Sequence, residues 1–406
     1  VPRGGTAMKR VLEKTAEIFD IVAAVCLAGV VIYLGYEHYY AEIDSILLIF
    51  SLVLGGLLSS LVCCVFHELG HIFFGKLCGF AFNSLRIGPV KLYRDEKGLR
   101  ITAKQASETV AGAAEMLPKN ADGLYAKYLI VTAGGPVFSF LFLAGAVLAL
   151  SFYSRLPFAA YALICTSMPC AFHLFFYNVL PFSCDNLDTD GALLRGLIKR
   201  ETSYLTAVNI LAIEGYLYQG ASPSEIDGAL YFGLEQLPED DINFILLTDY
   251  RLMYYLDGGD VQNAVRASDR LKGLMEYVPE YYMRDIAADI LFCECAVKGD
   301  KELSRQMYPA LEKYLKGENT LQTRRILAAY ELYVNGDKMA ALRELSAAEE
   351  KAENCWIKGT AKYEKKLSWK GYFIRPQSSS FFSSHSRKCP SSLPIKFSFL
   401  PGWVYM

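Results

Sequence analysis

Two histidines and a glutamate stand together inside an apolar stretch: LLSSLVCCVFHELGHIFFGKL contains His67, Glu68 and His71. On a helix, residues four apart share a face and lie about 6 Å apart along the axis, so His67 and His71 offer two imidazoles to one point. This is the ligand pair of an HExxH zinc site, with Glu68 placed to hold a metal-activated water. Zinc lowers the pKa of such a water to about 7, so a nucleophile exists at neutral pH. Glu68 would take the proton and pass it to a leaving amine. The apolar surroundings sharpen this reading, because ionisable groups inside a membrane segment cost a few kcal/mol each and usually mark function.

A catalytic zinc needs a third protein ligand and an open fourth position. The segment NVLPFSCDNLDTDGALL, residues 178–194, supplies candidates. Asn178 and Pro181 close an apolar helix, a polar loop follows, and Asp190-Gly191 precedes a new helical run. A carboxylate just past a helix end can turn back toward the metal. Asp190 leads because the following glycine allows close backbone approach. Asp185 and Asp188 are its rivals. Cys63 and Cys64 precede His67 by four and three residues, and one of them facing the metal would close the site; ordinary helix packing is the simpler account. His173 reads as a satisfied interior histidine rather than a ligand. Glu108 and Glu115 would suit the membrane HExxH class that uses a glutamate, but both lie outside the apolar runs.

The elements that must position these groups are membrane helices. Four stretches reach the length of about 20 apolar residues that a crossing requires: residues 18–36, 45–79, 125–151 and 157–181. The second is too long for one crossing, and Gly55-Gly56 offers a break. Loop charge sets the orientation. Lys9, Arg10 and Lys14 precede the first stretch, seven basic residues from Arg86 to Lys119 follow the second, and Arg195, Lys199 and Arg200 follow the fourth. Both termini are therefore expected in the cytosol, with the HELGH motif in the cytosolic half of the membrane. Residues 90–103, VKLYRDEKGLRITA, alternate apolar and polar positions around a charged turn and predict a β-hairpin. This hairpin, or its neighbourhood, is expected to offer an edge to an unwound substrate strand.

A HELGH motif in a membrane helix, Gly134-Gly135-Pro136 in a later one, and an Asn-x-x-Pro segment leading to Asp-Gly together resemble the site-2 protease family of intramembrane zinc proteases. The resemblance covers about residues 55–195. It implies that His67, His71 and Asp190 hold Zn2+, that Glu68 is the catalytic glutamate, and that Asn178, with Gly135 and Pro136, contacts the substrate. It also implies membrane-anchored protein or peptide substrates. Two departures stand out: Ser139 occupies a position where the family often has asparagine, and the step from Pro181 to Asp190 is longer than usual.

Residues 196–366 are more polar and read as helices. YYLDGGDVQNAVR, ECAVKGDKELSRQ and ELYVNGDKMAALR share an apolar helix end, a Gly-Asp turn and a new helix, with the Gly-Asp pairs at 259, 299 and 336. That period predicts stacked helix hairpins resembling degenerate tetratricopeptide repeats, which would bind a protein partner or recruit substrate in the cytosol. The fold class expected is thus mostly α: a polytopic helix bundle with a small β-hairpin over residues 8–195, then a helical-repeat domain over 196–366.

Hydrophobic residues make up 53% of the chain, and the formal net charge of −2 gives no reason to expect nucleic acid binding. The eleven cysteines show no framework spacing and suit a reducing compartment; with the four apolar stretches, the expected setting is the lipid bilayer of a bacterial cell membrane. Residues 1–7 resemble a tag remnant before Met8, and the acid-free tail 367–406 reads as disordered or non-native. Two competing readings remain: a catalytically inactive membrane scaffold whose repeats bind partners, and a transporter, which would want further charges deep in the other helices.

Overall fold

A computed structural model describes residues 7–95, 98–103, 112–184 and 187–368 of the chain. Helices α1 (Ala7–Tyr39), α2 (Ser45–Leu77) and α3 (Leu124–Ser151) are long and apolar. A fourth apolar segment is divided into α4 (Phe158–Ile164) and α5 (Met168–Val179) by a 3-10 turn, and Pro169 opens α5, where its missing N–H costs no helical bond. These are four helical segments long and apolar enough to cross a membrane. Their outer faces carry exposed Ile18, Val25, Phe50, Leu61, Phe140 and Leu148. A belt of that kind needs lipid or another apolar partner to cover it. Polar side chains tie the segments together: the Tyr161 hydroxyl donates to Val31 O at 2.6 Å, and Tyr39 donates to Leu156 O at 2.5 Å.

The expected break at Gly55-Gly56 is absent. Helix α2 runs unbroken for 33 residues, about 50 Å. The reason lies in packing: a Cβ at Gly55 would come within 2.2 Å of Ala162 O, so this glycine lets α4 approach the α2 backbone rather than ending the helix.

Strands β1 (Phe80–Ile87), β2 (Val90–Asp95), β3 (Gly98–Ala103) and β4 (Gly112–Pro118) form one antiparallel sheet in the order β3-β2-β1-β4. The hairpin expected over 90–103 is present, with Val90 opposite Ala103 and Asp95 opposite Gly98. It is only the outer half of a larger sheet. Strand β3 forms the far edge, with Leu99 and Ile101 exposed, while β4 forms the edge that packs against α2. A two-residue pair, β5 (Ser183–Cys184) with β6 (Leu187–Asp188), leads into α6 (Asp190–Ile198).

The remainder is helical: α7 (Thr202–Gln219), α8 (Gly228–Phe232), α9 (Ile242–Gly258), α10 (Val261–Leu274), α11 (Glu280–Phe292), α12 (Lys301–Glu318), α13 (Leu321–Tyr330), α14 (Lys338–Asn354) and α15 (Lys358–Lys366). The three Gly-Asp pairs all make the same turn. Gly259, Gly299 and Gly336 are left-handed, at φ of 76°, 70° and 75°, a conformation that costs glycine little. Asp260, Asp300 and Asp337 then cap α10, α12 and α14 through bonds from Asn263, Leu303 and Ala340 amides. The resulting hairpins share one core, including Leu252, Leu271, Ile290, Leu315 and Ile326.

The two halves are not separate cores. Ile72, Phe80, Met116 and Val131 of the first half bury Ala212 of α7 with them. Tyr281 donates to Glu115, and Arg94 lies 4.9 Å over the Trp356 ring. Leu367 and Ser368 are buried, so the folded part continues past the expected limit at 366. The proposed tag remnant, apart from Ala7 in α1, and the tail from 369 onward lie outside the described residues.

Candidate metal centre

The site forms where α2 crosses α3. A Cβ at Gly70 would meet Gly134 O at 2.2 Å, and one at Gly134 would meet Gly70 O at 2.5 Å, so only two glycines permit this crossing. Close approach delivers Gly135 to the imidazoles: a Cβ there would sit 2.3 Å from His71 Nε2 and 2.6 Å from His67 Nε2. Gly135 therefore packs on the two histidines themselves. Pro136 is buried beside it in α3.

Asp190 reaches the same point from the first turn of α6. Its position depends on Gly191, where a Cβ would lie 2.1 Å from Val179 O, so the start of α6 backs directly onto the end of α5. Thr189 caps α6 by accepting from the Ala192 amide at 3.3 Å and donates to Leu180 O at 2.5 Å. His67 Nε2 lies 3.1 Å and His71 Nε2 3.4 Å from Asp190 Oδ2, and the two Nε2 atoms are 3.3 Å apart. Three donors thus form a nearly equilateral triangle. Ligands about 2.0–2.1 Å from a tetrahedral zinc are spaced by roughly 3.3 Å, so the triangle matches one face of that tetrahedron. Asp190 Oδ2 is buried and has no hydrogen-bond partner, the mark of an acceptor left for a cation. Among the described residues this is the one cluster of His, Cys, Asp and Glu that could hold a metal ion.

Both histidines are oriented from behind. His71 Nδ1 lies 2.9 Å from Val131 O and must donate to it, which leaves Nε2 with its lone pair toward the cluster. His67 Nδ1 lies 2.8 Å from Ser139 Oγ. Ser139 is thus the partner of the His67 ring rather than a bystander to it. Glu68 is buried on the same turn, and Gly112 of β4 packs on it, since a Cβ there would be 2.8 Å from Glu68 Oε1.

The remaining candidates fall elsewhere. Asp188 accepts from Tyr204 at 2.9 Å; Asp185 and Glu108 lie outside the described residues. Glu115 accepts from Ser84 at 2.6 Å and from Asn83 at 3.1 Å, in the sheet. The Cys63 thiol faces Ser167 O, and Cys64 is not part of the cluster. Asn178 donates to Leu174 O of its own helix at 2.9 Å. His173 is satisfied, by Asp20 of α1 at 2.6 Å, but its side chain is 41% exposed rather than interior. Sequence reasoning passed over Asp20, although a lone acid in the first apolar stretch was a visible signal. It also had no means of finding the Ser139 and Val131 contacts, which depend on the helix crossing.

Compared with family models, curated proteins and solved structures, the chain matches none.

Proposed function

We propose that the chain is an intramembrane zinc endopeptidase, similar to the site-2 proteases, that hydrolyses a peptide bond of membrane-anchored substrates near the cytosolic face. The observation that carries the reading is the orphaned Asp190 Oδ2 facing two imidazole nitrogens within an apolar helix. A zinc ion held by His67, His71 and Asp190 would supply a Lewis acid and a water that loses its proton near neutral pH. Gly135 and the Ser139 and Val131 contacts fix the two rings, so the ligands need no rearrangement to bind. Glu68, on the same turn, would take the proton and return it to the leaving amine. Asn178 would contact substrate only by releasing Leu174 O.

The test is zinc content of the detergent-purified full chain. Wild type and Glu68→Gln should hold about one zinc, His71→Ala and Asp190→Ala should hold none, and Glu68→Gln should lose at least about 100-fold in hydrolysis. A wild type that holds no zinc under conditions preserving it would reduce the chain to a scaffold.

A further inference from the structure

A cavity of about 470 Å³ lies between α7 and the first helices of the three hairpins, α9, α11 and α13, with α15 at one side and Tyr128 of α3 at the other. Its lining is unusually acidic. Glu214, Asp249, Asp285, Asp289 and Glu364 face it, against one cation, Arg325. Arg325 is engaged by Glu364 at 2.7 Å and Asp289 at 3.0 Å. The other three acids have neutral partners or none: Glu214 accepts from Tyr250 at 2.9 Å, Asp285 accepts from Tyr314, and Asp249 Oδ1 is buried without a partner. Burial raises the Glu214 carboxyl to about 7, with the Glu115 charge adding to it, and burial with the Asp289 and Asp285 charges raises Asp249.

Two further features say what kind of ligand fits. Arg325 is 1% exposed, and its buried Nη1 has no hydrogen-bond partner, so the wall of the cavity holds an unused donor beside the acceptors. A bare metal ion would use no such donor, and the cavity acids do not gather into a metal-binding cluster. A peptide uses both, with its carbonyl oxygens on Nη1 and a charged side chain on the acids. The rings of Tyr128, Tyr250, Tyr282 and Tyr363 line the same space, and aromatic faces attract an alkylammonium or guanidinium.

We infer that this cavity binds a lysine or arginine side chain of a peptide segment, so that, on the protease reading on which this rests, the substrates are membrane-anchored chains with a basic residue close to the cut. Helix α3 gives the spacing. Tyr128 lines the cavity and Gly135 touches the metal-site histidines, and seven residues of helix span about 10 Å. An extended substrate covers that distance in about three residues.

The test is the binding of a fluorescent dilysine peptide and its Nε-acetylated counterpart to the full chain in detergent at pH 8, with zinc measured on the same samples. Wild type should prefer the charged peptide by about tenfold or more, the scale of one partly buried charge contact. The double variant Asp249→Asn, Asp285→Asn should lose that preference while its zinc content stays unchanged. Equal binding of the two peptides by wild type overturns the inference without any variant needing to fold, and so does an undiminished preference in the double variant. If zinc is present and the preference absent, this inference alone fails. If the preference is present and zinc absent, the ligand class of the cavity stands and the protease reading fails.

Discussion

Ser139 is the residue whose meaning changed most between sequence and structure. In the sequence it is a departure from a family pattern; in the fold its hydroxyl lies 2.8 Å from His67 Nδ1. Loss of a partner behind a ligating histidine typically weakens metal affinity 10–100-fold. Ser139→Ala is therefore expected to weaken zinc retention by roughly that factor, measured by competition with a chelator, with helix content unchanged. Unaltered retention would make the contact incidental. Gly135 shows the same logic in reverse. Its sequence suggested substrate contact, but any side chain there would displace both imidazoles, so the histidine positions already account for the glycine.

At the scale of elements, the sheet has two edges, β3 and β4. The 90–103 hairpin or its neighbourhood was expected to meet the substrate; β3 is the edge remote from α2, and β4, in that neighbourhood, lies against Glu68. A substrate strand pairing beside the site would use β4. Ile101→Pro should accordingly leave cleavage of a membrane-anchored reporter unchanged. Gly112→Ala, which crowds Glu68 Oε1, should slow it severalfold, and both variants should retain zinc. Slowed cleavage in Ile101→Pro with normal activity in Gly112→Ala would return the role to the hairpin. Helix α2 offers a second lesson at this scale. Two adjacent glycines read as a break because glycine is a poor helix former, but neighbouring helices can use the same missing side chain as space.

At the scale of the molecule, the helical half is anchored in the membrane half through α7. Removing everything after residue 200 would strip Ala212 from the core it shares with Ile72 and Met116, so partner binding is better probed by point changes than by that deletion. Glu214 of α7 gives a measurable consequence. Burial is the main cause that raises its carboxyl from 4.5 to about 7, with the Glu115 charge adding to it and the Tyr250 hydroxyl opposing it. A raised carboxyl favours folding only while protonated, so its contribution is complete below about 4.5 and is lost as pH rises through about 7. Glu214→Gln should be more stable than wild type at pH 8, by roughly 1–2 kcal/mol after allowance for its partial exposure, and the gap should close toward pH 4.5. Parallel thermal unfolding curves for the two proteins at all pH values would contradict this.

The sequence by itself determined what local pattern can carry. Apolar length specified the four candidate spans, helical spacing placed His67 and His71 on one face, alternation gave the hairpin, and three Gly-Asp pairs marked three helix turns. Each of these depends on neighbours within a few residues, so each was legible. Only the tertiary structure decided what depends on distant backbone. It brought Asp190 rather than Asp188 to the histidines, because Gly191 lets α6 back onto α5 and Tyr204 takes Asp188. It paired Asp20 with His173, turned Ser139 toward His67, and gathered acids from α7, α9 and α11 around one cavity. None of those meetings is written in a period, because each is set by how closely two helices can approach, and that is fixed by the residue on the facing helix.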